Sequence, residues 1–159
     1  MGIKEIITII VAIYGAILST VNIILHIKTQ KTSLLVKLSE GYLVGREYRD
    51  DNLYLFWNAY NKGAKKIKLS MVGFRIKGIK KYFQIPYQMK PGIQLPFEIK
   101  PGNSYCCWTT TKQVAESLKK VGCSSEVKII GYFTDAIKNR YYSQPYRFNI
   151  EENLKNETK

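Results

Sequence analysis

Histidine is almost missing from this chain, since His26 is the single example among 159 residues. His26 falls within a long uncharged run, so the rest of the sequence has no Ser-His or Cys-His pair that activates a nucleophile. The glycines are scattered and do not form a phosphate-binding loop. These absences exclude the commonest kinds of active site. The sequence therefore predicts a protein that is not an enzyme and has no catalytic residues.

Cysteine is also scarce, and the three that occur are Cys106, Cys107 and Cys123. An odd number that includes two neighbours makes a poor disulfide framework. Adjacent residues of a strand point to opposite faces of a sheet, so Cys106 and Cys107 do not suit a common zinc ion. The sequence predicts no metal site and no cofactor. Free thiols are typical of a reducing compartment, which favours the cytoplasm.

Acidic side chains are absent between Asp51 and Glu98, in a chain whose formal net charge is +13. Strand alternation places cations from this stretch on the face opposite the apolar one, beside aromatic side chains. The predicted anion-binding residues are Lys66, Lys68, Arg75, Lys77, Lys80, Lys81 and Tyr82. Anionic lipid headgroups, a nucleotide and nucleic acid all fit such a surface, and a partner protein is compatible with it. The alternative is a lysine-rich composition without any specific ligand.

Apolar sequence is abundant near the beginning of the chain, where residues 6–27 carry no charge. As a helix this run extends about 33 Å, enough to cross a hydrocarbon core of about 30 Å. It is longer than the apolar region of a cleavable signal peptide and ends without a small-x-small cleavage site. It also lacks the polar face of a soluble core helix. The run predicts a transmembrane helix, with a signal peptide and a core helix as the alternatives.

One face of this predicted helix is small or polar. The residues that recur along it at alternating spacings of four and three are Thr8, Ala12, Gly15, Ser19, Asn22 and His26. In lipid, helices associate through small residues that permit close approach and through polar groups that find partners. We therefore predict that the helices self-associate into a homo-oligomer along this seam. A passive single-pass anchor and a hydrated pore are the alternatives.

The orientation of the predicted helix follows from the lysines that flank it. Lys4 precedes the span, whereas Lys28, Lys31 and Lys37 follow within ten residues of its end. This excess predicts a cell-membrane protein with its N-terminus outside and its C-terminal domain in the cytoplasm.

The remainder of the chain reads as one mainly β domain. The predicted divisions are a short N-terminus (1–5), the transmembrane helix (6–27), a linker (28–32), a β-sandwich domain (33–150) and a polar C-terminal tail (151–159). Period-2 alternation predicts strands over 33–44, 53–60, 66–77, 82–87, 93–99, 104–109, 126–133 and 140–150. Within 66–77, Ile67, Leu69 and Met71 share the apolar face, which continues with Phe74 and Ile76. The phase slip across Val72 and Gly73 suggests a bulge.

One short helix interrupts the strands. Thr110 and Gln113 form a capping box, Val114, Leu118 and Val121 form an apolar stripe, and Gly122 is a plausible stop. Short strands separated by frequent turns are typical of an antiparallel immunoglobulin-like β-sandwich, here with one inserted helix.

The order of these signals resembles that of small bacterial single-pass membrane proteins with an immunoglobulin-like β-sandwich domain. The resemblance rests on the segment 58–63 (NAYNKG), the bulged strand, the segment 95–102 (LPFEIKPG), the short helix and the closing hairpin around Asp135 and Tyr141. These motifs are turn and packing signals, so the resemblance implies a fold and transfers no active site.

Together these features predict a membrane sensor–effector. A ligand bound by the basic domain would bias the packing of self-associating helices, a plan similar in architecture to small bacterial antiviral effectors. The alternative is an extracytoplasmic envelope accessory module that is tethered by a passive anchor helix.

Overall fold

The computed structural model describes residues 2–29, 32–44, 49–84 and 94–155 of the chain. A long helix comes first, followed by strands and two short helices. The elements in chain order are α1 (Ile3–Thr29), β1 (Leu34–Val44), β2 (Arg49–Asn61), β3 (Ile67–Ile76), β4 (Tyr82–Gln84), β5 (Phe97–Ile99), β6 (Ser104–Thr110), α2 (Thr111–Lys120), β7 (Glu126–Asp135), β8 (Arg140–Tyr142), β9 (Tyr146–Asn149) and α3 (Ile150–Lys155). The fold is mainly β, as predicted.

The helix α1 is long and apolar enough to cross a membrane over Ile3–Ile27, which makes it the one candidate span among the described residues. None of its side chains up to residue 27 is buried, so no part of the described domain covers it. This exposure contradicts the alternative of a soluble core helix, because such a helix would bury its apolar side chains in the domain. A single N-terminal apolar helix is the expected feature of a single-pass membrane protein.

Two antiparallel sheets form the domain. One has the strand order β1-β2-β6; the other has the order β4-β3-β7-β8, with β5 also pairing with β3 and β9 with β7. Large side chains from both sheets fill the space between them, among them Trp57, Phe74 and Phe133, each 0% exposed. The Trp57 indole donates a hydrogen bond of 3.0 Å across this core to the Gly73 carbonyl. The arrangement is a β-sandwich.

The helix α2 follows its predicted signals. The Thr110 side chain accepts a hydrogen bond from the Gln113 backbone N–H, and Gly122 adopts φ +91° after the last turn. Val114 and Leu118 are buried against the core. Val121 was wrongly included in the apolar stripe: it is 38% exposed, because the helix ends at Lys120 and Val121 serves as its C-cap.

The bulge in β3 exists but lies earlier than predicted. The pairing of β3 with β7 shifts register between Leu69 and Met71, so the extra residue is Ser70. Its hydroxyl donates to the carbonyls of Thr134 and Asp135, which fixes the kink. Met71 was expected on the apolar face but is 40% exposed, because the bulge turns its side chain outward. Val72 is buried on the inner face of the sheet in its place.

The C-terminal part differs from the prediction of one strand followed by a polar tail. Pro145, which has no N–H for a ladder, separates β8 from β9, and residues 150–155 form α3. Ile150 and Asn153 are buried on this helix, and the Asn149 side chain accepts from the Glu152 N–H at its start. The predicted tail 151–159 is therefore a helix as far as Lys155, and 156–159 lie outside the described residues.

The two strands predicted around residue 90 are shorter in the described chain. The structure gives β4 only Tyr82–Gln84 and β5 only Phe97–Ile99. Residues 94–96 were wrongly included in the second strand, because they lie in a bend before β5. The rest of the two predictions, 85–87 and 93, lies outside the described residues.

Candidate functional site

The sandwich has two ends, and the chain enters it from α1 at one of them. Strand β1 begins at Leu34, which is paired with Asn61 at the end of β2. The N–H groups of Lys62 and Gly63 donate to the Ser33 carbonyl just before β1. We call this the tethered end; its turns are 62–66, 100–103 and 136–139. The turn 77–81, at the other end of β3, marks the far end.

The structure does not bring the seven predicted anion-binding residues into one surface. Lys66 and Lys68 lie at the tethered end, where the Lys66 ammonium is 3.1 Å from the Glu98 carboxylate. The three remaining lysines of the set, Lys77, Lys80 and Lys81, belong to the turn at the far end. Eight residues of strand lie between Lys68 and Lys77, which places the two lysines about 30 Å apart. The predicted surface is therefore divided.

Arg75 and Tyr82 occupy a third place, on the outer face of the larger sheet. There they meet three residues from β7 and β8 that the sequence analysis did not select. We call this group the arginine–tyrosine cluster; its members are Arg75, Tyr82, Tyr132, Arg140 and Tyr142.

Guanidinium groups cover two tyrosine rings of the cluster. The Arg140 Cζ lies 4.1 Å from the centre of the Tyr82 ring and 6.0 Å from that of Tyr132. The Arg75 Cζ lies 5.1 Å from the centre of the Tyr142 ring. The hydroxyls of Tyr82 and Tyr142 are joined by a hydrogen bond of 3.1 Å. Each contact crosses between strands, so the cluster depends on the sheet for its geometry.

Strand register explains why these residues meet. Arg75 is paired with Tyr82, and Tyr132 is paired with Gly73 on one side and with Tyr142 on the other. The Tyr132 ring lies over Gly73, where a Cβ would be 2.7 Å from its hydroxyl. Tyr132 is consequently only 3% exposed although it is on the outer face. Because Gly73 has no side chain, the Tyr132 ring can lie against the sheet beneath the other residues of the cluster.

The electrostatics of the cluster favour negative charge. The hydrogen bond from Tyr142 lowers the pKa of Tyr82, opposed by desolvation and aided by the positive charges of Arg140 and Arg75. Among the described residues neither guanidinium forms an ion pair with a carboxylate, and the buried Arg75 Nε has no hydrogen-bond partner. Two cations without described counter-ions, beside aromatic rings, suit the binding of an anion.

A weak signal for the three missed residues was present in the sequence. Tyr132 alternates with the buried Phe133, and Arg140 and Tyr142 share one phase of the next strand. Charge density directed attention to the lysines instead, because arginine and tyrosine in the last strands do not form a run. Their proximity to Arg75 comes from long-range pairing.

The seam predicted on α1 is preserved as one face, because the helix is continuous through all six positions. The Thr8 hydroxyl donates 2.9 Å to the Lys4 carbonyl, so it is satisfied within the helix. A Cβ on Gly15 would meet nothing within 4 Å, and the Ser19 and Asn22 side chains are exposed. The face is therefore accessible to a second helix.

The cysteines point in different directions, as the strand position of the adjacent pair predicts. Cys107 is buried in the core, where burial raises the pKa of its thiol well above the ordinary value. Cys106 and Cys123 are half-buried, and none of the three cysteines forms a disulfide. Within the described ranges no three His, Cys, Asp or Glu side chains are grouped to hold a metal ion.

Comparisons with known proteins add little. No family model matches the chain, and no curated protein matches it. One similar solved structure is the X-ray structure of a target of the Northeast Structural Genomics Consortium, with 12% sequence identity and a TM-score of 0.38 over 74% of this chain and 86% of the other. A likeness at that TM-score carries no argument about fold or function.

Proposed function

We propose that this chain is a non-enzymatic, single-pass membrane protein whose β-sandwich binds an anionic ligand that carries phosphate, with the arginine–tyrosine cluster as its site. The observation that carries the proposal is the pair of guanidiniums, Arg75 and Arg140, held on tyrosine rings without a described carboxylate. Guanidinium groups pair with phosphate oxygens in a fixed fork geometry. Tyrosine rings provide stacking faces for bases, which makes nucleotides and oligonucleotides the ligands to test first.

The first prediction concerns the two arginines. Purified full-length protein in a zwitterionic detergent is expected to bind ATP or a short oligonucleotide at low salt, and Arg75→Gln with Arg140→Gln is expected to weaken binding at least tenfold. Each arginine supplies a charge-assisted hydrogen bond of about 1.5–3 kcal/mol, so tenfold is a low bound. Isothermal titration or fluorescence anisotropy at several salt concentrations provides the measurement.

Two further variants test which feature of the protein recognises the ligand: the planar guanidinium groups or positive charge alone. Arg75→Lys with Arg140→Lys keeps both charges but removes the planar fork, so affinity is expected to fall while its salt dependence remains. Lys77→Glu, Lys80→Glu and Lys81→Glu remove the far-end charge and are expected to leave most of the affinity. If the far-end variant loses binding and the arginine variant retains it, the ligand site is the lysine turn and the cluster is a structural feature.

We further propose that α1 self-associates along the seam of small and polar residues. Its exposed face, with the gap at Gly15 and the amide of Asn22, supports this proposal. Gly15→Ile is expected to hold two backbones apart, and Asn22→Leu to remove a polar group that needs a partner. Interhelical hydrogen bonds in membranes contribute only about 0.6 kcal/mol on average, so the double variant is the informative one.

The measurement is crosslinking, or native mass spectrometry in detergent, of the full-length protein and of Gly15→Ile with Asn22→Leu. The expected result is a shift from oligomer to monomer. Ile10→Leu with Ile17→Leu, which lie off the seam, is the matched control and is expected to leave the oligomer intact. An oligomer that survives the double variant would assign any assembly to the sandwich and make α1 a passive anchor.

The domain is proposed to lie in the cytoplasm, because of the charge bias at the ends of the span and because the three described cysteines form no disulfide. The rival is an envelope accessory module with the sandwich outside. Labelling of Cys106 or Cys123, which are half-buried, by a membrane-impermeant reagent on intact cells would contradict the cytoplasmic placement. The expected result is labelling only after permeabilisation.

An immunoglobulin-like topology is also proposed for the sandwich. The support is the strand order: β1-β2-β6 corresponds to strands A-B-E, and β4-β3-β7-β8 corresponds to C′-C-F-G of that fold. Combined with self-associating helices, such a ligand-binding domain would make the protein a membrane sensor–effector, of the kind found in antiviral defence. Ligand binding would then change the oligomer, so adding ATP or oligonucleotide is expected to alter crosslinking of the wild-type protein.

A further inference from the structure

An isoleucine stands exposed at the tethered end of the sandwich. Ile137 lies in the turn 136–139 and is 79% exposed, next to Lys138. Large aliphatic side chains in a β-turn tip gain nothing from water contact. The turn is also firmly built, so the exposure is a fixed property of the turn.

Asp135 holds this turn in place. Its carboxylate accepts hydrogen bonds from the N–H groups of Ile137 and Asn139, at 3.0 and 2.8 Å, and from the Asn139 amide and the Tyr141 hydroxyl. The Ala136 N–H donates to the Lys68 carbonyl, which anchors the turn to β3. The backbone of the tip is thus satisfied internally, and the Ile137 side chain is held away from the core.

The end of the sandwich that carries this apolar tip is rich in lysine. The turns of the tethered end carry exposed ammonium groups on Lys62, Lys65, Lys66, Lys100 and Lys138. Of the described carboxylates at this end, Glu98 is paired with Lys66 and Asp135 is buried and fully used by its turn. The described part of this end therefore has a strong excess of positive charge and carries a large exposed aliphatic side chain, Ile137.

The tethered end is close to the membrane by covalent connection. Thr32 is three residues beyond Thr29, the last residue of α1, and three residues extend at most about 10 Å. Thr32 lines a hollow of about 180 Å³ together with Lys66, Lys68 and Ile137. The chain that leaves the helix consequently arrives beside the lysines and the apolar tip.

We infer that the tethered end docks on the headgroup layer of the bilayer that α1 crosses, with lysines against anionic phospholipid headgroups and Ile137 entering the interface. Lysines gain most near an anionic surface, and an apolar side chain adds binding that salt does not screen. The inference is independent of the arginine–tyrosine cluster and holds for whichever leaflet the domain faces. Docking would fix the orientation of the sandwich over the membrane.

The far end offers a natural comparison. The turn 77–81 also has an isoleucine, Ile79, among Lys77, Lys80 and Lys81. A strand of about 30 Å separates this turn from the tethered end, so the same short tether does not bring it to the bilayer. The turns 77–81 and 136–139 therefore resemble each other in composition. They differ in position, because the short tether brings only the turn 136–139 to the bilayer.

The test is lysine footprinting of the full-length protein in nanodiscs. One set of nanodiscs contains phosphatidylcholine alone and the other contains phosphatidylcholine with phosphatidylglycerol, and acetylation of each lysine is measured by mass spectrometry. Lys65 and Lys138 are expected to be modified about threefold more slowly in the anionic nanodiscs, because headgroups cover them and stabilise their charged form. Lys119 and Lys120 at the end of α2 are expected to react equally in both.

Variants separate the parts of the inference. Ile137→Ser is expected to abolish the protection that remains at high salt, whereas Ile79→Ser, its matched control, is expected to change nothing. Arg75→Gln with Arg140→Gln is expected to keep the protection even though it impairs the proposed ligand site. Equal reactivity of Lys65, Lys138 and the α2 lysines in both nanodiscs would overturn the inference. So would protection of equal size in both nanodiscs, since a protein contact would then cover these lysines.

Discussion

Replacing Gly73 with alanine is expected to lower the free energy of unfolding of the sandwich by about 3 kcal/mol. A Cβ at this position would overlap the backbone carbonyl oxygen of Phe83 and would lie 2.7 Å from the Tyr132 hydroxyl. Phe83 belongs to β4, whose backbone is paired with β3 at this point, so its carbonyl cannot rotate away. Tyr132 can move only by giving up its ring contacts with Tyr82 and Tyr142.

The measurement is thermal unfolding of the full-length protein in detergent, followed by tryptophan fluorescence. For a domain of this size a loss of about 3 kcal/mol lowers the Tm by about 10 °C. Gly41→Ala is the matched control, because a Cβ there would meet only Phe56 at an ordinary 3.4 Å. It is expected to be neutral or to stabilise β1 by about 0.5 kcal/mol. Equal Tm values for the two variants would mean that neither the Phe83 carbonyl nor the Tyr132 side chain crowds the space beside Gly73.

Local signals in the sequence were enough to predict several elements correctly. A long uncharged run is enough to predict the helix α1. The pair Thr110 and Gln113 and a terminal glycine are enough to predict α2. Both helices can therefore be recognised from neighbouring residues alone. The strands follow from simple alternation of apolar and polar residues, and most were located to within a few residues. The structure confirms a mainly β domain behind an apolar helix because these signals do not depend on distant partners.

The candidate site was predicted poorly because it depends on pairing between distant strands. Arg75 and Tyr82 are close in sequence, but they meet Arg140 and Tyr142 only through the register of β3 with β7 and of β7 with β8. Lys66 and Lys81 looked like parts of one surface because they are near in sequence. A strand of ten residues places them at opposite ends of the sandwich. The number of charges along the sequence does not show which charged residues are close together in the folded domain.

Two smaller differences have local causes that a closer reading would have found. The bulge was placed at Val72 and Gly73 because hydrophobic side chains alone were counted, and Met71 passes for a core residue by composition. The helix α3 was missed although Asn149 followed by Glu151 and Glu152 is an ordinary helix start, with an N-cap and acidic residues in the first turn. The segment 151–159 was predicted to be a polar tail because Leu154 is its single apolar residue.

The second large effect is expected at Asp135, whose replacement by alanine should cost about 3 kcal/mol of folding free energy. Four donors lose their acceptor: the N–H groups of Ile137 and Asn139, the Asn139 amide and the Tyr141 hydroxyl. Asp135 is 6% exposed, so water replaces these bonds incompletely, and an unsatisfied buried group costs about 1–3 kcal/mol.

Asp135→Asn is the matched variant, because its amide oxygen can still accept from the two backbone N–H groups while its NH₂ faces the remaining donors. Its cost is expected to be about 1 kcal/mol, close to that of Tyr141→Phe, which removes a single bond. Denaturant unfolding of the full-length protein measures all three. The same variants can be compared in the nanodisc experiment. Asp135→Asn is expected to keep the turn intact and preserve the protection of Lys138 in anionic nanodiscs. Asp135→Ala is expected to release Ile137 from its fixed position and abolish the protection that remains at high salt. Alanine and asparagine variants of equal stability would show that the carboxylate does not organise this turn.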